Sequence, residues 1–483
     1  MMKNKIIVLA TALLVMTGCS DNLELAPTTQ FTEGTFYQNE EQMEQAVDGI
    51  YHQLGIVYGS VGIPALYGEL RSDNARIIFR TGANNYAEQI DGFFIAPDNG
   101  MITEAWEDSY RAINICNNVL YQLENTTVEI EPSKLDLLKA QTRVIRSLIY
   151  FNLVRAFGAV PYIDQVVGPE EAYNYLRVNP DEIYQNLVQD LNFGKENLPE
   201  AYTGDDIGRI TKYAASAILA KLYLTIGNKS AAQTELEFII DSGHYSLDAN
   251  NDGIVNVDDY LFLFHPNTKN SKSSILEAQY LSGTNASNSG HQLEYTPFHW
   301  DFHLPDEAET FRGWGMNTPT EDLAEEFEAD DPRKLTSIFP GYELLGTEEF
   351  VTYPFTMKFY DPNWRNPGQN VEIIRYADIL LMYAEVTNDP EYLNMVRARV
   401  GLPPYGSAGY PSDKYPTLPL AIYHERRMEL CFEFHRFFDL VRHDHALEVM
   451  GSKGYDINEN KLLFPIPLNE IDINPDLNQN PGY

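Results

Sequence analysis

Apolar residues recur at the i, i+3, i+4 and i+7 spacing of an amphipathic helix through most of this chain. The spacing predicts helices in eight segments: residues 40–54, 102–124, 132–158, 180–198, 211–228, 229–243, 373–389 and 418–450. Glycines at 158, 227, 243 and 401 stand where these patterns stop, as C-terminal caps do. Strand-like patterns are few and short, and they cover residues 75–82, 273–281, 348–361 and 460–468.

The segment from Lys212 to Gly243 predicts two antiparallel helices joined by a tight turn. Small residues such as Ala214 and Ala217 alternate with large ones such as Leu222, as in a tetratricopeptide-type helical hairpin. Other predicted helices pair at similar spacing. The predicted fold class is therefore mainly α: a tetratricopeptide-like helical-hairpin scaffold with long aromatic-rich loops and a few short strands. An unrelated antiparallel helix pair is the alternative.

Composition and charge narrow the possible partners. Hydrophobic residues make up 44% and charged residues 22%, which is ordinary for a globular protein. Acidic residues outnumber basic ones by 70 to 34, for a formal charge of −36. Since a phosphate backbone would be repelled, nucleic acid is an unfavourable partner, whereas neutral ligands and cations are not excluded.

The first 18 residues have the features of an export signal. Lys3 and Lys5 precede an apolar run over residues 6–16, which is too short to span a bilayer. Small residues then lead into Cys19, as in a bacterial lipobox. We expect residues 1–18 to be a lipoprotein signal peptide, Cys19 to be lipidated and residues 19–30 to form a tether. An ordinary signal peptide with an incidental cysteine is the alternative.

The stretch DANNDGIVNVDD has the layout of a calcium loop. Calcium takes six to eight oxygen ligands, and Gly253 permits the sharp turn that such loops make. The predicted ligands of one structural calcium ion are the side chains of Asp248, Asn250, Asp252, Asn256 (through water) and Asp259, with the carbonyl of Ile254. An Asp/Asn-rich turn without an ion is the alternative.

Six stretches in order resemble one family, together with the lipobox: FNLVRAFGAVPYI, RGWGMNTPTEDLAEEFEADDPRK, IIRYADILLMYAEVTND, NMVRARVGLPP, HERRMELCFEFHRFFDLVRHD and FPIPLNEIDINPDLNQNPGY. They resemble the SusD/RagB family of outer-membrane nutrient-binding lipoproteins. The resemblance implies a lipid-anchored protein on the cell surface at the outer membrane. Such a protein captures oligo- or polysaccharide, without catalysis, for a SusC-like TonB-dependent transporter.

The resemblance implies a single domain over residues 31–483. Within it we expect a helical scaffold over residues 31–245, the calcium-loop insertion at 248–259 and a loop-rich part over 260–483. The family's usual pattern runs almost directly from HYSL to YLFLF, so the calcium-like loop is a departure from it.

Two segments, Arg71 to Met101 and Ser282 to Pro319, have no regular pattern and are rich in Gly, Asn and aromatic residues. Glycan recognition needs flat aromatic faces with amides, carboxylates or Arg nearby. Trp300 is the principal candidate, and Trp364 is an additional one. The other candidate glycan-binding residues are Tyr295, His299, Asp301, Asp73, Asn74, Arg80, Tyr86 and Trp314.

Catalytic motifs are not apparent: the chain has no nucleophile elbow and no phosphate-binding glycine loop. A lipid-anchored surface glycoside hydrolase and an adhesive protein remain the alternatives. We expect Glu425, Arg426, Arg427 and Glu429 to form a buried or half-buried charge network. His435, Asp439 and His443 recur every four residues, and ion pairing of Asp439 explains them better than zinc. Cys116 and Cys431 lie in apolar patterns, which favours burial as small hydrophobes.

Overall fold

The computed structural model describes residues 36–78, 85–283, 287–304, 310–347 and 349–483. Helices dominate it, as the periodicity predicts. They are α1 Glu40–Val57, α2 Asn85–Asp91, α3 Gly100–Glu124, α4 Pro132–Phe157, α5 Pro169–Ala172, α6 Pro180–Asn197, α7 Lys212–Thr225, α8 Lys229–Ile240, α9 Val257–Leu263, α10 His291–Tyr295, α11 Glu321–Glu326, α12 Arg333–Ser337, α13 Tyr376–Thr387, α14 Pro390–Arg399, α15 Leu418–Leu430, α16 Arg436–Arg442, α17 Ala446–Ser452 and α18 Leu468–Ile473. A π-helical turn covers Pro64–Leu70.

Successive helices pack side by side as stacked hairpins. Helix α4 packs between α3 and α6, α7 packs between α6 and α8, and α13 continues the stack against α8. The stack buries one continuous core that reaches from α1 to the C-terminal segment. Asparagine and threonine side chains cap the N-termini of α1, α3, α6, α7 and α8. The predicted mainly α, tetratricopeptide-like fold is confirmed.

The predicted C-terminal glycines have the conformation that their position requires. Gly158, Gly227, Gly243 and Gly401 all have φ between 63° and 75°. Only glycine adopts this left-handed region at no steric cost.

The strands are short: β1 Ala75–Arg76, β2 Val160–Pro161, β3 Arg177–Val178, β4 Ser274–Ala278, β5 His299–His303, β6 Thr310–Gly313, β7 Thr318–Pro319, β8 Phe339–Leu344, β9 Phe350–Phe355 and β10 Val371–Arg375. Strand β4 pairs antiparallel with β10, and β6, β5, β8 and β9 form a four-stranded antiparallel sheet in that order. The strand predicted at 460–468 is wrong, because that segment leads from the 3₁₀ turn Glu459–Lys461 to the start of α18 at Leu468 and contains no strand. The segment 282–319, which has no regular sequence pattern, contains α10 and three strands.

The long helical pattern at 418–450 is not one helix but three: α15, α16 and α17. The chain turns after Leu430, where Phe432 and Phe434 have φ of 64° and 67°. Both rings are buried, so packing maintains a backbone conformation that these residues rarely adopt. Cys431 at this break and Cys116 in α3 are free and buried.

One face of α15 carries a buried row of carboxylates, at Glu425, Glu429 and, just after the helix, Glu433. Each carboxylate accepts hydrogen bonds from cations on other elements. Glu429 bonds to Arg333 of α12 at 2.8 Å, to Arg399 of α14 at 2.5 Å, and to Arg375 of β10.

The flanking carboxylates extend the row. Glu425 accepts from Arg333 at 2.5 Å and from Arg397 at 2.9 Å. Glu433 accepts from Lys358 at 2.6 Å and from Arg375 at 2.5 Å. Burial opposes ionisation, yet the surrounding arginines hold the pKa of Glu429 well below its usual range.

The other faces of α15 carry the reverse arrangement, with buried arginines bound to distant carboxylates. Arg426 bonds to Asp378 of α13 at 2.8 Å and to Asp439 of α16 at 3.0 Å. Asp439 also accepts from Arg442 at 2.8 Å, so ion pairs account for the histidine-flanked repeat without zinc. The predicted charge network is therefore confirmed, with partners on other elements.

Within the described ranges, no helix is both long and apolar enough to cross a lipid bilayer.

We predict that Glu429→Gln destabilises the protein by about 3–5 kcal/mol, because it leaves three buried arginines without their shared counter-charge. Guanidinium-induced unfolding measures the change. Glu321→Gln is the matched control, since its pair with Arg76 lies at the surface with the Glu321 side chain 85% exposed. An equal, small effect of both substitutions would contradict the role of the buried row.

Candidate functional site

The two long irregular segments of the sequence meet in the fold. Strand β1, in the first, pairs antiparallel with β7, at the end of the second, with Ala75 opposite Pro319. Thr320 donates from its hydroxyl to the carbonyl of Asp73 at 2.7 Å, which continues this junction. Backbone pairing therefore brings the two irregular segments together.

The four-stranded sheet forms a small separate core beside the helical stack. Its buried members are Phe302, Leu304, Phe311, Tyr342 and Phe355. Phe302 packs on Tyr342 with ring centroids 4.8 Å apart. This core gives the loops at the sheet's end a rigid support, which a binding surface needs.

Half-buried aromatic rings and arginines gather at one end of this sheet. Trp314 follows β6 and packs against Phe298, with ring centroids 6.0 Å apart. Two positions earlier, the Arg312 guanidinium lies 5.6 Å from the ring centroid of Trp364, and Arg365 lies 4.5 Å from it. We call these five residues the aromatic surface. Flat rings with guanidinium donors beside them suit a ligand with both apolar faces and hydroxyl groups.

The glycines on either side of Trp314 explain why it can lie there. A Cβ at Gly313 would stand 2.3 Å from the Thr296 hydroxyl oxygen. A Cβ at Gly315, where φ is +69°, would stand 2.5 Å from the Tyr353 hydroxyl oxygen. Both positions need glycine so that the backbone can approach its neighbours, and the Trp314 amide then donates to Leu293 at 2.9 Å.

A tight turn presents Trp364. The Asp361 carboxylate accepts from the amides of Asn363 and Gly368, both at 2.8 Å. Ser282 donates to the carbonyl of Asn366 at 2.8 Å and so ties the turn to the second irregular segment. The turn around Trp364 is therefore held by hydrogen bonds at both ends.

Trp300 and Asp301 lie in β5, and their side chains fall outside the described residues. His299 precedes them, half-buried, with its ring 5.5 Å from that of Tyr342. Its Nδ1 is buried without a hydrogen-bond partner among the described residues. His299 therefore lies at the edge of the aromatic surface, beside Phe298.

The placement of Tyr295 corrects its predicted role. Its side chain is 1% exposed and packs edge-on against Phe359, with ring centroids 5.3 Å apart. Helix α10 turns this residue into the main core, so a glycan at the surface does not reach it.

Asp73 and Asn74 are also corrected, because both are buried structural residues. Asp73 binds Arg436 at 2.7 and 2.9 Å, and the neighbouring arginines hold the pKa of its carboxyl well below the usual range against the effect of burial. Asn74 donates to Glu69 at 2.9 Å and accepts from Arg427 at 2.9 Å. These contacts fix the base of the first irregular segment.

The structure describes only one of the other two candidates in the first irregular segment, Arg80 and Tyr86. Arg80 lies outside the described residues. Tyr86 begins α2 with its side chain 41% exposed, and its ring lies over Gly100 at the start of α3. Tyr86 is thus exposed at the surface, and its contact with a ligand stays a prediction.

Behind the aromatic surface, the environment of the Glu294 carboxyl favours its neutral, protonated form. Burial, with the charge of Glu104 adding to it, raises the pKa of Glu294 to about 7. Glu294 lies in α10, and its carbonyl accepts from the Met316 amide at 2.7 Å, just past Trp314.

Phe298, Arg312 and Arg365 contribute to the aromatic surface and were not singled out from the sequence. Each is within two residues of a tryptophan already named as a candidate. Their closeness in sequence to a candidate tryptophan is the feature from which these residues could have been identified.

The predicted calcium loop folds back on its own carboxylates. Asp248 accepts from the amides of Asp252 and Gly253 at 3.0 and 2.9 Å. Asp259 accepts from the amides of Asn250 and Asn256 at 3.3 and 2.8 Å. Gly253 has φ of 88°, as the sharp turn requires.

The segment after the loop is docked. Tyr260, Leu263 and Phe264 are buried in a cluster with Val400 and Leu402, next to α14. Val255, the eighth residue of the loop, is 47% exposed. Across the described ranges, no three His, Cys, Asp or Glu side chains converge as a metal cluster; the predicted ligand set also includes two asparagines and a carbonyl.

Comparison with known proteins agrees with this architecture. Residues 340–460 match the model of the SusD family, and residues 24–224 match a family model described as "Starch-binding associating with outer membrane". Together the two matches cover about two thirds of the chain.

Whole-chain relatives have similar lengths. A SusD-like protein, P2, of Formosa agariphila is 27% identical over the full length of both chains. A SusD-like protein of Bacteroides ovatus is 25% identical over 91% of this chain and 82% of its own.

Solved structures share the fold. A laminarin-binding SusD-like protein is 28% identical with a TM-score of 0.77, covering 92% of this chain and 100% of its own. Surface glycan-binding protein A from Bacteroides thetaiotaomicron, in complex with laminarihexaose, is 22% identical with a TM-score of 0.77, covering 92% and 99%. With the stacked helical hairpins and the motif order in the sequence, these matches show that the chain belongs to the SusD/RagB family.

Proposed function

We propose that this protein binds oligo- or polysaccharide at the aromatic surface without transforming it. The observation that carries the proposal is the pair of tryptophans beside the four-stranded sheet: Trp364 with Arg312 and Arg365 over its ring, and Trp314 packed against Phe298. Indole faces match the apolar faces of sugar rings, and guanidinium groups donate to hydroxyls. Two structural relatives, a laminarin-binding protein and a protein in complex with laminarihexaose, support a carbohydrate ligand.

We further propose a place for this binding. A lipid on Cys19 would hold the protein at the outer membrane, on the cell surface, and the captured glycan would pass to a SusC-like TonB-dependent transporter. The lipobox-like MTGC sequence supports the anchor, and the description of the matching family model supports the membrane.

We also propose that one calcium ion binds the loop from Asp248 to Asp259 in a structural role. Six ligands at loop spacing support it, as does the docking of the Tyr260 segment directly after the loop. The loop residues do not belong to the aromatic surface, so calcium would stabilise the scaffold rather than contact sugar.

For the aromatic surface, we predict that Trp314→Ala weakens binding of laminarihexaose roughly three- to tenfold, because one stacking face is lost. Trp300→Ala should act in the same direction. Isothermal titration calorimetry measures the affinity, and the melting temperature checks folding. Tyr121→Ala is the control, since it removes a ring that is 53% exposed on α3.

Unchanged affinity in Trp314→Ala and Trp300→Ala would place the site elsewhere. Release of reducing ends from a panel of polysaccharides by the purified protein would overturn the non-catalytic part of the proposal.

For the calcium loop, we predict stabilisation of the wild type by about 1–3 kcal/mol at about 10 mM calcium, from a dissociation constant of about 10⁻⁴–10⁻³ M. Asp252→Ala should abolish this gain, and EDTA should remove it from the wild type. Asp258→Asn is the matched control, because Asp258 lies in the loop but outside the ligand set. Equal melting temperatures with calcium and with EDTA would contradict the proposal.

A further inference from the structure

A cavity of about 610 Å³ lies on the helical side of the molecule, and its described lining residues include none from the four-stranded sheet. Its walls are α3, the connection 161–175 and the C-terminal helix α18. None of its lining residues belongs to the aromatic surface. Its volume is within the range of small-molecule sites.

Aromatic side chains form much of the wall. Trp106 and Tyr110, one helical turn apart on α3, pack with ring centroids 4.8 Å apart. Tyr173 and Tyr175 line the cavity from the connection 161–175, and Tyr173 is 51% exposed. Two separate elements therefore supply aromatic rings to the cavity.

A buried donor lines the same cavity. Asn474 is 7% exposed, and its Nδ2 has no hydrogen-bond partner within the described part of the chain. Its Oδ1 already accepts from the Asp476 amide at 3.2 Å, which fixes the orientation of the amide group. Because an unpaired buried N–H is costly, an acceptor from a ligand would relieve it.

The charged groups of the cavity select against anions. Glu107 and Glu470 line it, and burial together with the charge of Glu107 raises the pKa of Glu470. Arg111, the cation in the lining, is paired with Asp108. Carboxylates accept from hydroxyl groups, so a neutral polyhydroxylated ligand fits where a carboxylate or sulfate would be repelled.

The walls are held in place by internal hydrogen bonds. Tyr110 donates to the Pro161 carbonyl at 2.7 Å, and Asn117 donates to the Ile163 carbonyl at 2.8 Å. Gln165 donates to the Tyr175 hydroxyl at 2.9 Å. A cavity fixed in this way loses little conformational freedom when a ligand enters.

We propose that this cavity is a second carbohydrate site, which takes one neutral pyranose ring between Tyr173 and α3 and pairs its hydroxyls with Asn474, Glu107 and Glu470. This inference rests on the proposed carbohydrate-binding function and adds a site that the aromatic surface does not include. A purely apolar ligand would leave the Asn474 amide unpaired.

The positions of the tryptophans allow the two sites to be tested separately. The chain has four tryptophans, and Trp106 lines this cavity, whereas Trp300, Trp314 and Trp364 all lie in the loop-rich part. A variant with Trp300→Phe, Trp314→Phe and Trp364→Phe reports only on Trp106 by selectively excited fluorescence. The probes are methyl β-D-glucopyranoside and, as the anionic counterpart, D-glucuronate.

We expect methyl β-D-glucopyranoside to change the Trp106 emission saturably, with a dissociation constant on the order of 1 mM for a ligand of this size. D-glucuronate should bind at least tenfold more weakly. Ala172→Phe, which fills the cavity from its rim, should abolish the response. Tyr173→Ala should weaken it roughly three- to tenfold, and Tyr173→Phe, which keeps the ring, should restore it.

A flat emission signal, or one that Ala172→Phe leaves unchanged, would overturn the second site. Circular dichroism of each variant checks folding. If the triple variant does not fold, calorimetry compares the wild type with Ala172→Phe. In that comparison Ala172→Phe must lower the affinity for methyl β-D-glucopyranoside. A flat Trp106 signal, combined with laminarihexaose binding that Trp314→Ala weakens, would leave the proposed function standing while this inference fails.

Discussion

The burial of charge around α15 is the constraint on which the rest of the structure depends. Glu425, Arg426, Arg427 and Glu429 are four nearly consecutive residues, and each is at most 7% exposed. A buried charge without a partner costs several kcal/mol, so every one of them must meet its counter-charge when the chain folds. The counter-charges lie on α12, α13, α14, α16, β10 and the first irregular segment. All of these elements must therefore close around α15 together.

This constraint extends to the candidate binding surface. Arg427 and Arg436 hold Asp73, and Asp73 is followed directly by Asn74 and β1. Strand β1 pairs with β7, and the chain just before β7 carries Trp314. A series of contacts thus connects the aromatic surface to the buried charge network. Asp73 and Asn74 stabilise the backbone beneath that surface and do not contact a ligand themselves.

Sequence periodicity was sufficient for the helical stack because each helix buries one stripe against a neighbour of the same kind. It failed where local patterns and tertiary packing disagree. The pattern at 418–450 continues without interruption across Phe432 and Phe434, yet these residues adopt positive φ because their rings enter the core. The segment predicted as a strand at 348–361 contains β9, but the other three strands of the sheet, β5, β6 and β8, were missed; β5 and β6 pair irregularly, with a register shift between His299 and Phe302. Tyr295 was misassigned because sequence does not show which side of a five-residue helix faces the core.

The positions of the arginines determine the charge and the hydrogen-bond donors of the two proposed binding surfaces. Arg71, Arg333, Arg375, Arg397 and Arg399 are fully buried, so they supply no donors to the exterior of a chain in which 70 acidic residues outnumber 34 basic ones. Against that exterior, Arg312 and Arg365 bring positive charge and donors to Trp364, where a glycan hydroxyl can use them. The helical-side cavity has no such compensation, because Arg111 is paired and Glu107 and Glu470 remain. The two surfaces should therefore differ in their tolerance of acidic sugars, since Coulomb repulsion in a half-buried site exceeds that in water several-fold.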